Sequence, residues 1–159
     1  MTFRKNTTVV KKHHSLKNNV LNDAGCHIHY LSPTVAGKKH DKKVADESNY
    51  SLPDGSILVQ DTGFQGFAPD NVVIVQPQKK PRNGELTTEE KALNSLISRL
   101  RIRTEHAIGG VKRYRIVKDK IRVWKLGFRD TVIETCCGLH NFRLQFRPWS
   151  YDIPDEFLI

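Results

Sequence analysis

Two acidic residues stand where a carboxylate can take part in metal chemistry. Asp61 follows Ser56-Ile57-Leu58-Val59-Gln60, a continuous apolar run that reads as a strand covered on both faces. Ligands collect at the carboxyl ends of strands in open α/β sheets. Glu105 lies among Arg99, Arg101, Arg103, Lys112 and Arg113, and these cations favour its charged form. On an ideal helix, Arg101 at i−4 and Lys112 at i+7 return to the face of Glu105. A carboxylate between two cations can hold a divalent metal against a phosphodiester while the cations grip neighbouring phosphates. Each pattern also has a plainer reading. An Arg–Glu pair at i, i+4 is commonly a solvated ion pair worth about 0.2–0.5 kcal/mol, and an Asp after a strand is commonly a turn or cap residue.

These residues need elements to hold them. Leu16, Val20 and Leu21, then Asn22-Asp23-Ala24-Gly25, then the alternating run Cys26 to Leu31 predict a hairpin between His13 and Ser32. The charged stretch Lys38 to Glu47 predicts a short surface helix entered at His40-Asp41, and Val72 to Val75 a second buried strand. Thr87 with Glu90 fits a capping box that opens the longest helix. Leu93, Leu96, Ile97, Leu100 and Ala107 or Ile108 form its core stripe, and Gly109-Gly110 predicts a weak point or kink. A last helix is expected from Asp130 to about Phe146. In the cationic stretch 112–125, apolar residues such as Tyr114 and Ile116 turn inward, which leaves Arg113, Arg115 and Lys118 for phosphate contacts.

Composition narrows the classes. The 159 residues carry 26 Lys and Arg against 17 Asp and Glu, a formal charge of +9, which points to a polyanionic partner, nucleic acid first. The hydrophobic fraction of 38% is too high for a disordered tail, and no apolar run could span a bilayer, so no membrane partner is expected. Three cysteines, two of them adjacent, make no disulfide framework and suggest an intracellular compartment. His27-x-His29 and Cys137-x-x-His140 each place two potential ligands on one face, but neither has the second pair that a structural zinc site needs.

Several separated motifs carry a resemblance. Asp61-Thr62-Gly63-Phe64-Gln65-Gly66 looks like the second-aspartate motif of DDE-superfamily transposases, and Thr104 to Lys112 resembles their catalytic-glutamate helix. The spacing Arg101, Glu105, Lys112 matches the wider insertion-sequence pattern, although Ser98 stands where that pattern has Tyr. Lys11 to Asn18, Ser32-Pro33 through His40-Asp41, and Cys137 to Arg143 are also similar, and the likeness is closest to the Harbinger-like endonuclease type. The resemblance implies an RNase H-like α/β fold whose mixed sheet has flanking helices. It implies three carboxylates around two magnesium ions, with manganese as the alternative, and metal-dependent cleavage and joining of DNA. Asp61 and Glu105 would be the second and third acids and the metal ligands. Arg101, Lys112, Arg113 and Arg115 would lie on DNA phosphate, and His40 and Asp41 would serve as caps or as outer support.

The family's first aspartate has no counterpart here, since no acidic residue precedes Asp23. The expectation is therefore a partial endonuclease domain over 13–146 that lacks the first, central strand, with a disordered basic arm at 1–12 and a tail at 147–159. Such a chain is expected to be inactive alone. The alternatives are a non-catalytic DNA-binding remnant, or the downstream half of a split or frameshifted enzyme whose upstream frame supplies the first aspartate, and the expected protein partners are an upstream transposase fragment or further copies of this chain. The compartment would be the cytoplasm or nucleoid of a bacterium, or a eukaryotic nucleus.

Overall fold

The computed structural model describes residues 2–5, 16–48, 51–119, 123, 125 and 127–150. The alternating residues after Lys17 make the expected hairpin, β3 (Asn19–Asn22) with β4 (Ile28–Leu31), paired antiparallel. Its turn is closed by the Cys26 N–H donating to the Asp23 carbonyl at 3.1 Å. The left-handed residue is Cys26, at φ 69°, not the adjacent glycine. The short strands β2 (Leu16–Lys17) and β5 (Val35–Ala36) form a separate pair.

The expectation of a missing central strand is corrected. β1 (Thr2–Lys5) lies between β3 and β6 (Ile57–Gln60). It runs antiparallel to β3, with Thr2 opposite Asn22 and Lys5 opposite Asn19. It runs parallel to β6, with Thr2 beside Val59 and Phe3 beside Gln60. Thr-Phe-Arg-Lys carries neither the apolar run nor the alternation by which strands are recognised, which is why composition alone points to an arm. Residues 6–15, which include most of the Lys11 to Asn18 motif, lie outside the described residues, as does the tail from 151 onward.

β7 (Val73–Val75) completes a five-stranded mixed sheet in the order β4-β3-β1-β6-β7. It is an edge strand with Val73 56% exposed, so the run expected to be buried is covered only in part. Alternation sends neighbouring residues to opposite faces. Leu21 and Leu58 pack with Ala45 and Phe64 on one face, next to α1 (Asp41–Asp46). Val20, Ile28, Ala107, Val111, Ile133 and Leu144 make the core on the other, with α2 (Thr88–Lys112) and α4 (Phe128–Phe146).

α2 begins with the capping box read from the sequence. The Glu90 N–H donates to Thr87 Oγ1 at 3.2 Å, and the Thr87 N–H donates to Glu90 Oε2 at 2.8 Å. The helix runs without interruption through Gly109-Gly110 to Lys112, so the expected break is absent. Gly110 instead makes room for a neighbour. A Cβ there would sit 2.2 Å from His140 Nδ1, an approach only glycine allows. Of the expected stripe, Ile97, Ala107 and Ile108 are buried, while Leu93 is 44% exposed.

His140 is 1% exposed, and its Nε2 lies 3.0 Å from the Cys26 carbonyl, so Nε2 must carry the proton. Burial pushes this imidazole below its ordinary value; Arg143, His27 and Arg113 act in the same direction, while the bond to Cys26 opposes them. The unfolded imidazole takes up a proton near pH 6.5 and the folded one only at lower pH. Stability present above pH 6.5 is therefore lost as pH falls through that value. Urea midpoints should be lower at pH 5.5 than at pH 7.5, and the difference should shrink in His140→Gln. Equal midpoints for the natural chain would refute this.

Candidate functional site

β6 delivers Asp61 to the edge of the sheet, where the chain leaves in a single 3-10 turn, Thr62–Phe64. Asp61 caps that turn: its Oδ1 accepts the Thr62 N–H at 2.6 Å. The plain reading of Asp61 as a cap is thus true, but it uses only one oxygen. Its Oδ2 accepts from Arg101 Nη2 at 2.9 Å, and the two side chains remain 26% and 21% exposed. Gln76 Nε2 donates to the Asp61 main-chain carbonyl at 3.3 Å, which holds the residue from a third side.

Arg101 comes from α2, which lies against β1 and β6. Its Nε is buried with no partner among the described residues, while its Nη2 is committed to Asp61. Glu105, exposed, follows one helical turn on, about 6 Å along the axis. Lys112, half-buried, is a further about 10 Å along the same face. The helix therefore aligns Arg101, Glu105 and Lys112, and the first of them touches Asp61. Arg113 and Arg115 are exposed where α2 gives way to α3 (Arg115–Lys118). Ile121 and Trp124 of this basic stretch lie outside the described residues.

His40 occupies the N-cap position of α1, but its side chain makes no capping hydrogen bond. Asp41 behaves differently. Lys17 Nζ donates to Asp41 Oδ1 at 2.7 Å, with the side chains 3% and 7% exposed. Asn19 Nδ2 donates to the Asp41 carbonyl at 3.0 Å. Asp41 Oδ2 lies 3.0 Å from where a Cβ on Gly63 would be, so the carboxylate packs on the turn that Asp61 caps. Lys17 and Gln76 were not singled out from the sequence. The only available signal was Lys17's place in the Lys11 to Asn18 motif, and Gln76 gave none.

Elsewhere the potential ligands are engaged. Asp23 Oδ2 lies 2.8 Å from His29 Nε2 and 3.6 Å from His27 Nδ1 at the hairpin turn. Burial would raise the Asp23 carboxyl, but the His29 contact, the His27 N–H and the two imidazole charges together hold it below its ordinary value. Burial, helped by Cys136 and Glu134, pushes the Cys137 thiol up to about 12. Among the described residues, no group of three or more His, Cys, Asp or Glu side chains is placed to hold a metal ion. The donors at the site nevertheless suit a hard cation. Glu105 is exposed, and Asp61 is 26% exposed with its oxygens accepting from Thr62 and Arg101; magnesium is commonly held by one or two carboxylates, with water and substrate phosphates completing its shell.

The model of the family described as DDE superfamily endonuclease matches residues 6–141. A probable transposase for insertion sequence element IS702 from Microchaete diplosiphon is 27% identical over 113 residues, which is 70% of this chain and 40% of that protein. The chain thus spans about two fifths of the relative's length. No solved structure gives a match.

The Lys17–Asp41 pair yields a stability prediction. Lys17→Met leaves a carboxylate buried without its partner and should cost about 3–5 kcal/mol in urea unfolding. Lys17→Met with Asp41→Leu should recover much of that loss, since replacing both charges removes the unpaired group. A single variant as stable as the natural chain would show that the pair is not held in the interior.

Proposed function

The chain belongs to the DDE superfamily endonuclease family, and on that premise we propose that it is the endonuclease region of a DNA transposase. Its substrate is the phosphodiester backbone of DNA, and the parent activity is metal-dependent cleavage and strand transfer. The observation that carries this reading is the contact of Arg101 with Asp61, which brings the aligned face of α2 to the strand end. Asp61 and Glu105 are the metal ligands of this reading, with magnesium as the ion and manganese as the alternative. A divalent cation bound there would stabilise charge on the attacking and leaving oxygens of an in-line displacement.

The residues of the chain have separate tasks. Arg101, whose Nε has no partner among the described residues, would be free to contact a phosphate if a divalent cation were held by the Asp61 carboxylate. Lys112 lies along the same face and neutralises a second phosphate, and Arg113 and Arg115 extend that contact. These four position the strand without reading bases. Asp41 holds the turn after Asp61 through Gly63, and so acts on the site only through that turn.

β1 supports a low activity for the chain by itself. This strand runs beside β6, and Thr2-Phe3-Arg4-Lys5 brings no carboxylate to the edge next to Asp61. We infer that a third acid comes from an upstream transposase fragment. In magnesium or manganese, the chain alone should leave supercoiled DNA essentially intact. Nicking that disappears in Asp61→Ala or Glu105→Ala would overturn the inactivity but keep the metal assignment.

Binding tests the rest. Fluorescence anisotropy on labelled duplex DNA should show affinity falling with salt, and Arg113→Gln or Arg115→Gln should each make the log–log slope shallower by about one. Manganese should strengthen binding in the natural chain and not in Glu105→Gln. No retention of DNA at low salt would refute the reading, and strengthening unchanged by Glu105→Gln would favour a DNA-binding protein without a metal site.

A further inference from the structure

Beside Asp61 the surface is hollowed into a pocket of about 210 Å³, lined by Thr62, Gln65, Gln76, Pro77, Gln78 and Lys79. None of the proposed contacts to metal or phosphate uses it. Its lining is chemically distinctive: three carboxamides, a hydroxyl and an ammonium surround one proline ring. With no carboxylate in the lining it does not suit a cation, and with one small apolar side chain it does not suit a greasy ligand. A carboxamide places a donor and an acceptor side by side, which is the complement of a nucleobase edge. The volume is below the roughly 300–1,000 Å³ of sites for drug-sized ligands, so it suits one base and not several rings.

The walls belong to the same frame as the site. Gln76 Nε2 donates to the Asp61 carbonyl, and the Thr62 N–H donates to Asp61 Oδ1. On the outer side, Asn94 of α2 clamps the loop: the Gln78 N–H donates to Asn94 Oδ1 at 2.8 Å, and Asn94 Nδ2 donates to the Gln78 carbonyl at 2.9 Å. Lys79 Nζ donates to Gln65 Oε1 and closes the ring of side chains. Lys79, Lys80 and Arg82 follow, all exposed, where the phosphates of a strand entering the pocket would run.

We propose that this pocket is a base-binding subsite. It takes an unpaired nucleobase of the DNA strand next to the scissile phosphate, with amides on the base edge and Pro77 against its face. Lys79 and Lys80 hold the adjoining backbone. The inference rests on the reading of Asp61 as the residue at that phosphate. It adds selectivity for unpaired bases to a site whose other contacts are to backbone.

The test uses the full chain and a labelled DNA duplex with a short single-stranded overhang, in calcium to support binding. A second probe carries the same overhang as abasic sugar-phosphate. Removing the bases should weaken binding about tenfold, the effect of losing one well-made base contact. In Gln78→Ala and in Gln65→Ala, each checked for native circular dichroism, the two probes should bind within about twofold of each other. Equal binding of both probes by the natural chain would overturn the subsite and leave the transposase reading standing. Discrimination retained in both variants would also overturn it, because another surface would then be reading the bases. Failure to bind either probe would overturn both the subsite and the reading beneath it.

Discussion

A full charge cannot be left alone inside a protein, and in this chain that constraint falls on Lys17 and Asp41. Both are almost entirely removed from water, and each answers the other at 2.7 Å. Their burial fixes more than themselves. Lys17 sits on the short strand that leads into the hairpin, Asp41 opens α1, and Asn19 of the hairpin holds the Asp41 carbonyl. The other carboxylate oxygen rests against Gly63. One ion pair therefore sets the positions of the hairpin, the helix and the turn after Asp61 relative to one another. Such a pair adds little net stability over a well-packed apolar substitute, while losing either partner leaves the other charge buried and unpaired. Gly63 suits this place because a side chain there would push against the buried carboxylate.

The second support is α2. Its capped start anchors the loop at Gln78 through Asn94, its middle carries Arg101 to Asp61, and its end passes His140 at Gly110. Because the helix is unbroken, spacing along it translates directly into position. A kink at the paired glycines would have turned Lys112 away from the face of Arg101 and Glu105. Gly110 serves contact between helices instead, letting α2 approach α4 closely enough for the His140 ring to fill the gap.

What could be read from the sequence was what is local. The capping box at Thr87 and Glu90, the run before Asp61, the short helix after His40 and the spacing of Arg101, Glu105 and Lys112 each depend on neighbours a few positions away. The features that escaped depend on distance. Thr2 to Lys5 look like an arm because the partners that make them a strand lie at 19–22 and 59–60. Lys17 reads as one more surface cation until Asp41 faces it. The turn of the hairpin was legible, but its left-handed residue was not. Glycine is the usual choice, yet Cys26 takes that conformation while its thiol reaches the Arg103 carbonyl at 3.3 Å. Gln76 and Asn94 gave no signal, since amides that bond to main chain far away look like any other polar residue.

The central strand also sets how far apart in sequence the partners of the sheet lie. β3 and β4 meet across a tight turn, so their pairing closes a small loop and costs little chain entropy. β1 can then add to β3 across a modest span. Its other edge pairs with β6, whose partnering residues lie beyond both the hairpin and α1. That pairing, the most distant in sequence of those in the sheet, brings Asp61 to its place, and such non-local pairings are the ones that slow folding.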